Sequence, residues 1–315
     1  MTQEAFIHWA KEKGYRISFA DIGLLDLVKE KLERRKADGE FPPGFYEDNL
    51  GIFKCPGKGA LRRFESILIV AVPAPAHILK FEREGGEVAT ILPPTYLRYR
   101  PLFEQVREEI QGEVLGGKPG IEILQAPLKS LAVVSGLAVY GRNNLTYIPG
   151  LGSFYQLAGY LFDGIAESAN PPDRLDRSLG LCGTCRACIK ACTMGAICED
   201  RFLIHAERCY TLLSESSRPI PDNIHPPSPE CLIGCLRCQE VCPANKGMLK
   251  RVQAPVSFTA AETEALLNEG EIRDRRLNTV IEAKFKTLGV SEGVPIFRRN
   301  LRRLVKLRTG SPAAF

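Results

Sequence analysis

Cysteine residues cluster in the second half of the chain and follow the spacing of metal-cluster ligands. Ten of the eleven cysteines lie between Cys182 and Cys242. Four of them form the run Cys-x2-Cys-x2-Cys-x3-Cys, which ends at Cys192, and a second run, Cys-x2-Cys-x3-Cys-Pro, starts at Cys235. The first spacing is typical of a loop around a cubane 4Fe-4S cluster, and its fourth thiolate often binds the second cluster of a pair. The sequence therefore predicts two 4Fe-4S clusters and the transfer of single electrons.

A Cys-x2-Cys step lets neighbouring thiolates reach neighbouring irons of one cluster. The predicted pairing also crosses the two runs, so that each cluster takes ligands from both. The predicted ligands of the first cluster are Cys182, Cys185, Cys188 and Cys242. The predicted ligands of the second cluster are Cys192, Cys235, Cys238 and Cys209, and Cys231 is the alternative to Cys209.

Zinc and disulfides are the two alternative uses of these cysteines. Paired Cys-x2-Cys units also bind zinc tetrahedrally. A zinc site needs only two such pairs, however, and leaves the further cysteines of both runs unexplained. A disulfide framework is typical of small secreted proteins, whereas the first 181 residues of this chain hold a single cysteine, Cys55. The spacing favours clusters over both alternatives.

Composition and charge place the chain among ordinary globular proteins. Its 315 residues are enough for two modest domains, and 44% of them are hydrophobic. The net charge of +5 is too small to indicate a nucleic-acid partner by itself. Residues 1–14 lack the apolar core of a secretory signal, and the longest apolar stretch, 67–75, is too short to span a membrane. We therefore expect a cytoplasmic protein without a membrane partner.

Hydrophobic periodicity predicts a mixture of helices and strands. Helices are predicted at 1–14, 24–37, 101–114, 258–268 and 276–288, and strands at 67–72, 87–92 and 120–124. Strands that lie this far apart, with helices between them, favour an α+β or α/β fold, of which we predict the α+β class. The predicted domains are 1–177 for an α+β cofactor-binding domain, 178–250 for the double-cluster domain and 251–315 for a helical basic extension, with the first boundary in the Pro- and Arg-bearing stretch 170–177.

Two further segments have both a structural and a functional interpretation. Glycines let the backbone approach a ligand closely, and an arginine binds phosphate or carboxylate groups, but the same residues also form tight turns. The predicted cofactor-binding residues are Gly141, Arg142, Asn143, Gly150, Gly152 and Ser153. The tail carries Arg298, Arg299, Arg302, Arg303, Lys306 and Arg308. This row is either a solvated helix face or a contact for a polyanion.

Taken together, these motifs resemble those of epoxyqueuosine reductases and, more distantly, reductive dehalogenases. The cysteine pattern alone is specific to double-cluster proteins, and the glycine-asparagine segment narrows the resemblance to this family. The matching segments are 182–192, 195–197, 208–209, 235–243 and 245–247, and upstream 132–133, 135–137, 141–143 and 152–154.

The resemblance implies a cobalamin-dependent reductase. It implies a nitroreductase-like first domain that holds cobalamin, followed by a ferredoxin-like domain that passes electrons singly to the cobalt. The reduced cofactor would then cleave a bond of a small-molecule or nucleoside-type substrate, with flavodoxin or ferredoxin as the external electron donor. An electron-transfer protein, or a reductive activase of corrinoid proteins, is the alternative. A tRNA-modifying enzyme, with the basic tail as its tRNA contact, is a third interpretation.

The sequence departs from the family pattern in three places. Only about 65 residues follow Lys250, so the C-terminal helical-repeat domain that grips tRNA in the family is expected to be missing. Thr193 replaces the usual proline after the fourth cysteine. The family has a catalytic aspartate shortly before the glycine-asparagine segment, whereas residues 120–140 contain no aspartate. The candidate proton donors are therefore Glu122 and Tyr140, then Tyr147 and Cys55.

Overall fold

The structure is a computed structural model that describes residues 3–51, 53, 63–93, 99–164, 178–248, 252–290 and 294–309. The strands are β1 (Arg16–Asp21), β2 (Ser66–Pro73), β3 (Ala76–Arg83), β4 (Gly86–Leu92), β5 (Ile121–Ile123), β6 (Val139–Tyr140), β7 (Thr146–Tyr147), β8 (Tyr155–Phe162) and β9 (Val252–Phe258). The helices are α1 (Gln3–Lys13), α2 (Leu24–Ala37), α3 (Phe45–Asn49), α4 (Tyr99–Glu109), α5 (Leu128–Val134), α6 (Ala187–Ala191), α7 (Tyr210–Glu215), α8 (Arg237–Glu240), α9 (Ala260–Leu267), α10 (Arg275–Leu288) and α11 (Val294–Thr309).

The chain divides into two compact units. The first comprises Met1–Ala74, Arg100–Arg186 and Ile197–Ile204, and the second comprises Pro75–Tyr99, Ala187–Ala196 and His205–Phe315. This division by packing differs from the three predicted domains, because residues 75–99 of the first predicted domain belong to the second unit. The predicted boundary at 170–177 lies outside the described residues, and the three functional domains stay a prediction.

The first unit is built on an antiparallel sheet in the order β1-β2-β8-β5. Strand β2 lies inside the sheet, and its side chains alternate between two cores. Ile67 and Ile69 pack in one core with residues of α2 and α5, whereas Leu68 and Val70 pack in the other with residues of α1 and α4. Because both faces are covered, the strand is a continuous apolar run rather than an alternating one.

A short hairpin in the same unit presents the glycine-asparagine segment. Strands β6 and β7 pair antiparallel, with Val139 opposite Tyr147 and Tyr140 opposite Thr146. Residues 141–145 form the turn between them. The hairpin therefore fixes both ends of the predicted cofactor-binding turn.

The second unit combines a three-stranded sheet with the C-terminal helices. Its strand order is β4-β3-β9, with β3 antiparallel to β4 and parallel to β9. Its core contains four buried phenylalanines, which are Phe81, Phe258, Phe285 and Phe297. Helix α9 begins with a capping box, in which Thr259 and Glu262 each accept from the other's backbone N–H. Helix α10 is capped by Asp274.

The mixture of helices and strands is confirmed, although several strands were not predicted. The expected helices at 1–14, 24–37, 258–268 and 276–288 correspond to α1, α2, α9 and α10. The expected helix at 101–114 is regular only to Glu109 and continues as a π-helical turn, Ile110–Val114. The sequence did not predict β1, β3, β8 and β9. In the part of the chain that the structure describes, no helix combines the length and apolarity that crossing a membrane requires.

Candidate iron–sulfur site

Two short helices carry the C-terminal parts of the ligand runs within the second unit, whereas Cys182 and Cys185 belong to the first unit. Helix α6 contains Cys188 and is followed by Cys192, while α8 contains Cys238 and is followed by Cys242. The backbone N–H of Cys192 donates to the carbonyl of Cys188 over 3.1 Å, and that of Cys242 donates to the carbonyl of Gln239 over 3.3 Å. Helices α6 and α8 lie against each other. The Cys-x3-Cys spacing of each run therefore spans one short helical turn.

Three predicted ligands of the second cluster lie close enough to interact electrostatically. Burial raises the pKa of the Cys235 thiol to about 11, and the nearby Cys209 and Cys192 also raise it. A buried thiol resists ionisation on its own, but a coordinated metal removes the proton outright. The backbone N–H of Ala196 points at Cys192 Sγ over 3.4 Å. Such N–H···S contacts are among the factors that set cluster potentials. This donor set fits an iron–sulfur cluster.

The cysteines are not arranged as a compact single-ion site. Zinc needs four ligands that converge at about 2.3 Å from one centre. Among the described residues, no group of three or more His, Cys, Asp or Glu side chains is placed to hold one metal ion.

Cys231, the alternative eighth ligand, occupies a different environment from Cys209. It is 4% exposed and forms a β-bridge with Ile91. Burial raises the pKa of its thiol to about 12. Cys209, in contrast, is partly exposed and stands directly before α7. Cys235 interacts electrostatically both with Cys209 and with Cys231. Cys209 shares the partial exposure of the other predicted ligands, whereas Cys231 is buried. This difference favours Cys209 as the eighth ligand, which stays a prediction.

The glycine-asparagine turn is tightly packed within the first unit. Asn143 is buried, and its Nδ2 donates to the Tyr147 hydroxyl over 2.9 Å. Asn144 has a left-handed backbone, with φ of 57°. A Cβ on Gly141 would lie 2.4 Å from the Tyr147 ring. The close approach at Gly141 is thus to the protein's own Tyr147, and the contact of this glycine with a cofactor stays a prediction.

The same turn contacts the first predicted cluster ligand. The backbone N–H of Arg142 points at Cys182 Sγ over 3.4 Å, and its guanidinium donates to the Cys182 carbonyl. Arg142 Nε and Asn144 Nδ2 are buried donors that find no hydrogen-bond partner among the residues that the structure describes. Buried donors of this kind normally have a partner. They therefore fit the polar edge of a bound group such as a corrinoid.

A cleft of about 380 Å³ opens beside this turn in the first unit. Its lining residues are Gly141, Arg142, Ser178, Leu179, Cys182, Gly183, Glu199, Asp200, Arg201 and Phe202. The volume is at the lower end of small-molecule pockets, which are about 300–1,000 Å³. The cleft could hold one edge of a large cofactor or a small polar ligand, next to a cluster cysteine.

The cleft brings together only some of the predicted site residues. Glu122 is an exposed residue of β5 that pairs with Arg63. Tyr140 is buried, and its hydroxyl lies 3.1 Å from Ser130 Oγ. Neither of them lines the cleft as the structure describes it. Their role as proton donors stays a prediction, and Cys55 lies outside the described residues.

The remaining predicted cofactor-binding residues follow β7 in a second turn. Gly150 and Gly152 have positive φ angles, of 79° and 58°, and Ile148 pairs with Gly152. Ser153 follows and is partly buried. These three residues do not line the described cleft either, so their contact with a cofactor stays a prediction.

Sequence reasoning missed three charged residues of the cleft. Glu199, Asp200 and Arg201 follow the cluster cysteines in the chain and line the cleft. Glu199 pairs with Arg186, and Arg201 donates to the Glu40 carbonyl. Their position was the only signal in the sequence, since Glu199 directly follows Cys198 and Asp200 and Arg201 come next.

Replacing Gly141 with alanine should destabilise the first unit. The new methyl group would lie 2.4 Å from the buried Tyr147 ring and 2.7 Å from Asn143 Oδ1. Overpacking of this kind costs about 1–3 kcal/mol, which denaturant unfolding would measure. Gly112→Ala is the matched control, because a Cβ at Gly112 meets nothing within 4 Å. Equal stability of the two variants would show that the turn is not rigid.

Comparison with known proteins first identifies the cluster region. Residues 181–245 match a family model described as a 4Fe-4S double cluster binding domain. This match confirms the prediction of two 4Fe-4S clusters and covers the cysteines from Cys182 to Cys242.

The curated relatives are epoxyqueuosine reductases. The protein from Cyclobacterium marinum is 35% identical over 47% of this chain and 46% of its own length. The protein from Staphylococcus aureus is 27% identical over 74% of this chain and 61% of its own length. The protein from Pseudomonas aeruginosa is 28% identical over 96% of this chain and 76% of its own length. The chain thus spans less than two thirds of the first two relatives.

Solved structures of epoxyqueuosine reductases share the fold. The structure from Streptococcus thermophilus superposes with a TM-score of 0.71 at 20% identity, over 97% of this chain and 81% of that one. A second structure, of an epoxyqueuosine reductase with an epoxyqueuosine-modified tRNA-Tyr stem loop, gives a TM-score of 0.65 at 21% identity, over 96% and 80%. The chain therefore resembles epoxyqueuosine reductases in sequence and in fold, as its motifs predict, and it carries a double 4Fe-4S cluster binding domain.

Proposed function

We propose that this chain is an iron–sulfur oxidoreductase of the epoxyqueuosine reductase type, which passes single electrons from two 4Fe-4S clusters to a bound cobalamin for reductive cleavage of a substrate. The observation that supports it most directly is the contact between the glycine-asparagine turn and Cys182. It joins a turn whose buried donors have no partner within the described part of the chain to a predicted ligand of the first cluster. A nitroreductase-like character of the first domain belongs to the same proposal.

The chain's own residues would bind, orient and protonate in this reaction. Arg142 Nε and Asn144 Nδ2 would donate to the bound cofactor, and the Cys182 loop would bring an electron close to it. Cobalamin, when bound, would supply the cobalt chemistry that breaks the substrate bond. Removal of an oxygen as water consumes two electrons and two protons, and enzymes supply protons from positioned acids. Glu199 and Asp200 line the cleft and join Glu122 and Tyr140 as candidate donors.

Anaerobic purification followed by analysis for iron, cobalt and zinc tests the proposal. We expect about eight irons per chain, as two 4Fe-4S clusters require, and stoichiometric cobalt after incubation with cobalamin. A corrinoid absorption band distinct from the cluster band should remain after gel filtration. Zinc in place of iron would contradict the cluster assignment. Eight irons with no retained corrinoid would instead favour the alternative, an electron-transfer protein or a reductive activase of corrinoid proteins.

The substrate and the external donor are also proposals. The solved relative with a modified tRNA stem loop supports a nucleoside-type substrate within tRNA, and flavodoxin or ferredoxin suits a one-electron acceptor. Helix α11 is a poor candidate for the tRNA contact, because Arg298, Arg299 and Arg303 donate to backbone carbonyls of the second unit. The sequence offered a solvated helix face or a polyanion contact for these arginines, and neither interpretation includes hydrogen bonds to backbone carbonyls of the chain itself. Binding of a tRNA stem loop, measured against salt concentration, tests the substrate class, because phosphate contacts weaken steeply with salt.

A further inference from the structure

One buried serine connects two predicted ligands of the second cluster. Helix α7 starts directly after Cys209, whose carbonyl accepts from the Leu212 N–H over 3.0 Å. Ser214, near the end of this helix, is fully buried, and its Oγ accepts from the Gly234 N–H over 2.8 Å. Gly234 has a φ of 77° and precedes Cys235. The Ser214 hydroxyl therefore ties the helix that follows one ligand to the backbone that precedes another.

Helix α11 holds this serine through its carbonyl. Asn300 Nδ2 donates to the Ser214 carbonyl over 3.0 Å, and Arg299 Nη2 donates to it over 2.9 Å. Arg299 also donates to the carbonyls of Ser216 and, over 2.7 Å, Arg218. Asn300 Oδ1 accepts from Arg299 Nε and Nη2, which fixes the plane of the guanidinium. Asn300 is 5% exposed, so these bonds are shielded from water.

The same helix contacts the rest of the segment that leads to Cys235. Arg303 donates to the carbonyls of Ile220, Pro221 and Ile224, and Arg308 donates to that of Pro229. Carbonyls outside regular structure need such partners when they are covered. Leu232 and Ile233 pack in the core that includes the apolar face of α11. Helix α11 thus holds the segment 214–233 in place by hydrogen bonds to its carbonyls and by packing against Leu232 and Ile233.

We propose that α11 positions the second iron–sulfur cluster, with Arg299 and Asn300 acting through Ser214 on the loop that carries Cys235. These three are positioning residues rather than ligands. The inference rests on the proposed ligand set of Cys192, Cys209, Cys235 and Cys238. Residues that orient metal ligands commonly change metal affinity about 10- to 100-fold when they are replaced. The basic C-terminal helix would then support the cluster through the backbone that carries one of its ligands.

Arg299→Lys and Ser214→Ala test this role against a matched control, Arg298→Lys. Lysine keeps the charge of Arg299 but loses the fork that reaches three carbonyls. Arg298 is the neighbouring residue and also donates to carbonyls, but these belong to Leu266, Ala265, Asn268 and Gly270 at the end of α9. We expect both test variants to release iron from one of the two clusters about tenfold faster in anaerobic chelator, with a changed reduced-state EPR signal. Arg298→Lys should release iron at the wild-type rate.

Each outcome decides between these ideas. Wild-type iron release and EPR spectra in both test variants would overturn the role of α11. An equal acceleration in Arg298→Lys would also overturn it, because the effect would then follow from general loosening of the helix. Cys209→Ser separates the two proposals. If Cys209→Ser keeps all its iron, the ligand assignment fails. If Cys209→Ser loses half its iron while Arg299→Lys and Ser214→Ala release iron at the wild-type rate, only the role of α11 fails.

Discussion

Replacing Cys209 with serine is expected to lower the iron content from about eight to about four atoms per chain, because the second cluster loses one of its four thiolate ligands and is held less tightly. Cys209 is partly exposed, and its sulfur lies close enough to Cys235 to influence the pKa of that thiol. Iron analysis after anaerobic reconstitution, together with EPR spectra of the reduced protein, measures the loss. The signal of one cluster should disappear and that of the other should remain.

Cys231→Ser is the matched control for this experiment. Cys231 is 4% exposed and is fixed by its bridge to Ile91, and its sulfur is not needed as a ligand if Cys209 is the eighth. We expect this variant to keep about eight irons. The reverse pattern, with iron lost in Cys231→Ser and kept in Cys209→Ser, would exchange the roles of the two cysteines.

Replacing Phe297 with alanine should be the most damaging change to the stability of the second unit. The side chain is fully buried, and its ring lies 4.7 Å from that of Phe285 in an edge-to-face contact. It also lies 6.0 Å from the ring of Phe81. Truncation of a buried phenylalanine to alanine costs about 3–5 kcal/mol, because apolar contacts are lost and a cavity remains. Denaturant unfolding of the cluster-loaded protein under anaerobic conditions would measure this cost.

Leu307→Ala, on the same helix, provides the comparison. Leu307 is 40% exposed, so its loss should change the free energy of unfolding by no more than about 0.5 kcal/mol. Phe297→Ala should also weaken cluster retention, since Leu232 and Ile233 belong to the same core and stand just before Cys235. A Phe297→Ala variant as stable as Leu307→Ala would show that this core is not what supports the second unit.

The sequence predicted those helices and strands whose buried residues form a regular apolar pattern along the chain. The amphipathic pattern of 24–37 and the β-branched run at 67–72 correspond to α2 and β2, because one face of a helix or both faces of a central strand must be apolar. Strand β9 was missed because Pro255 interrupts its pattern, and β8 because Gly159 divides its apolar residues. Gly159 lies on the side of the sheet where a Cβ would meet Leu128 at 2.4 Å, a packing constraint that no local pattern reveals.

The cluster chemistry came from the cysteine spacing, and the family resemblance came from that spacing together with the glycine-asparagine segment. A ligand loop wraps one cluster corner within a few residues, so its pattern is local and can be read directly from the chain. The roles of the charged residues could not be read from the local sequence. Glu122 was singled out by its position in sequence, yet it pairs with Arg63 on the surface, whereas Glu199 and Asp200 line the cleft.

The sequence by itself thus determined that this protein carries two iron–sulfur clusters, what type they are and which family it resembles. Only the tertiary structure decided what the basic C-terminal residues do. Arg299 donates to the Ser214 carbonyl, which lies 85 positions earlier in the chain. The sequence pattern around an arginine is the same whether its guanidinium faces water, a phosphate or a buried carbonyl. The partner of a long charged side chain depends on which segments fold against it, and that information belongs to the packing rather than to the pattern.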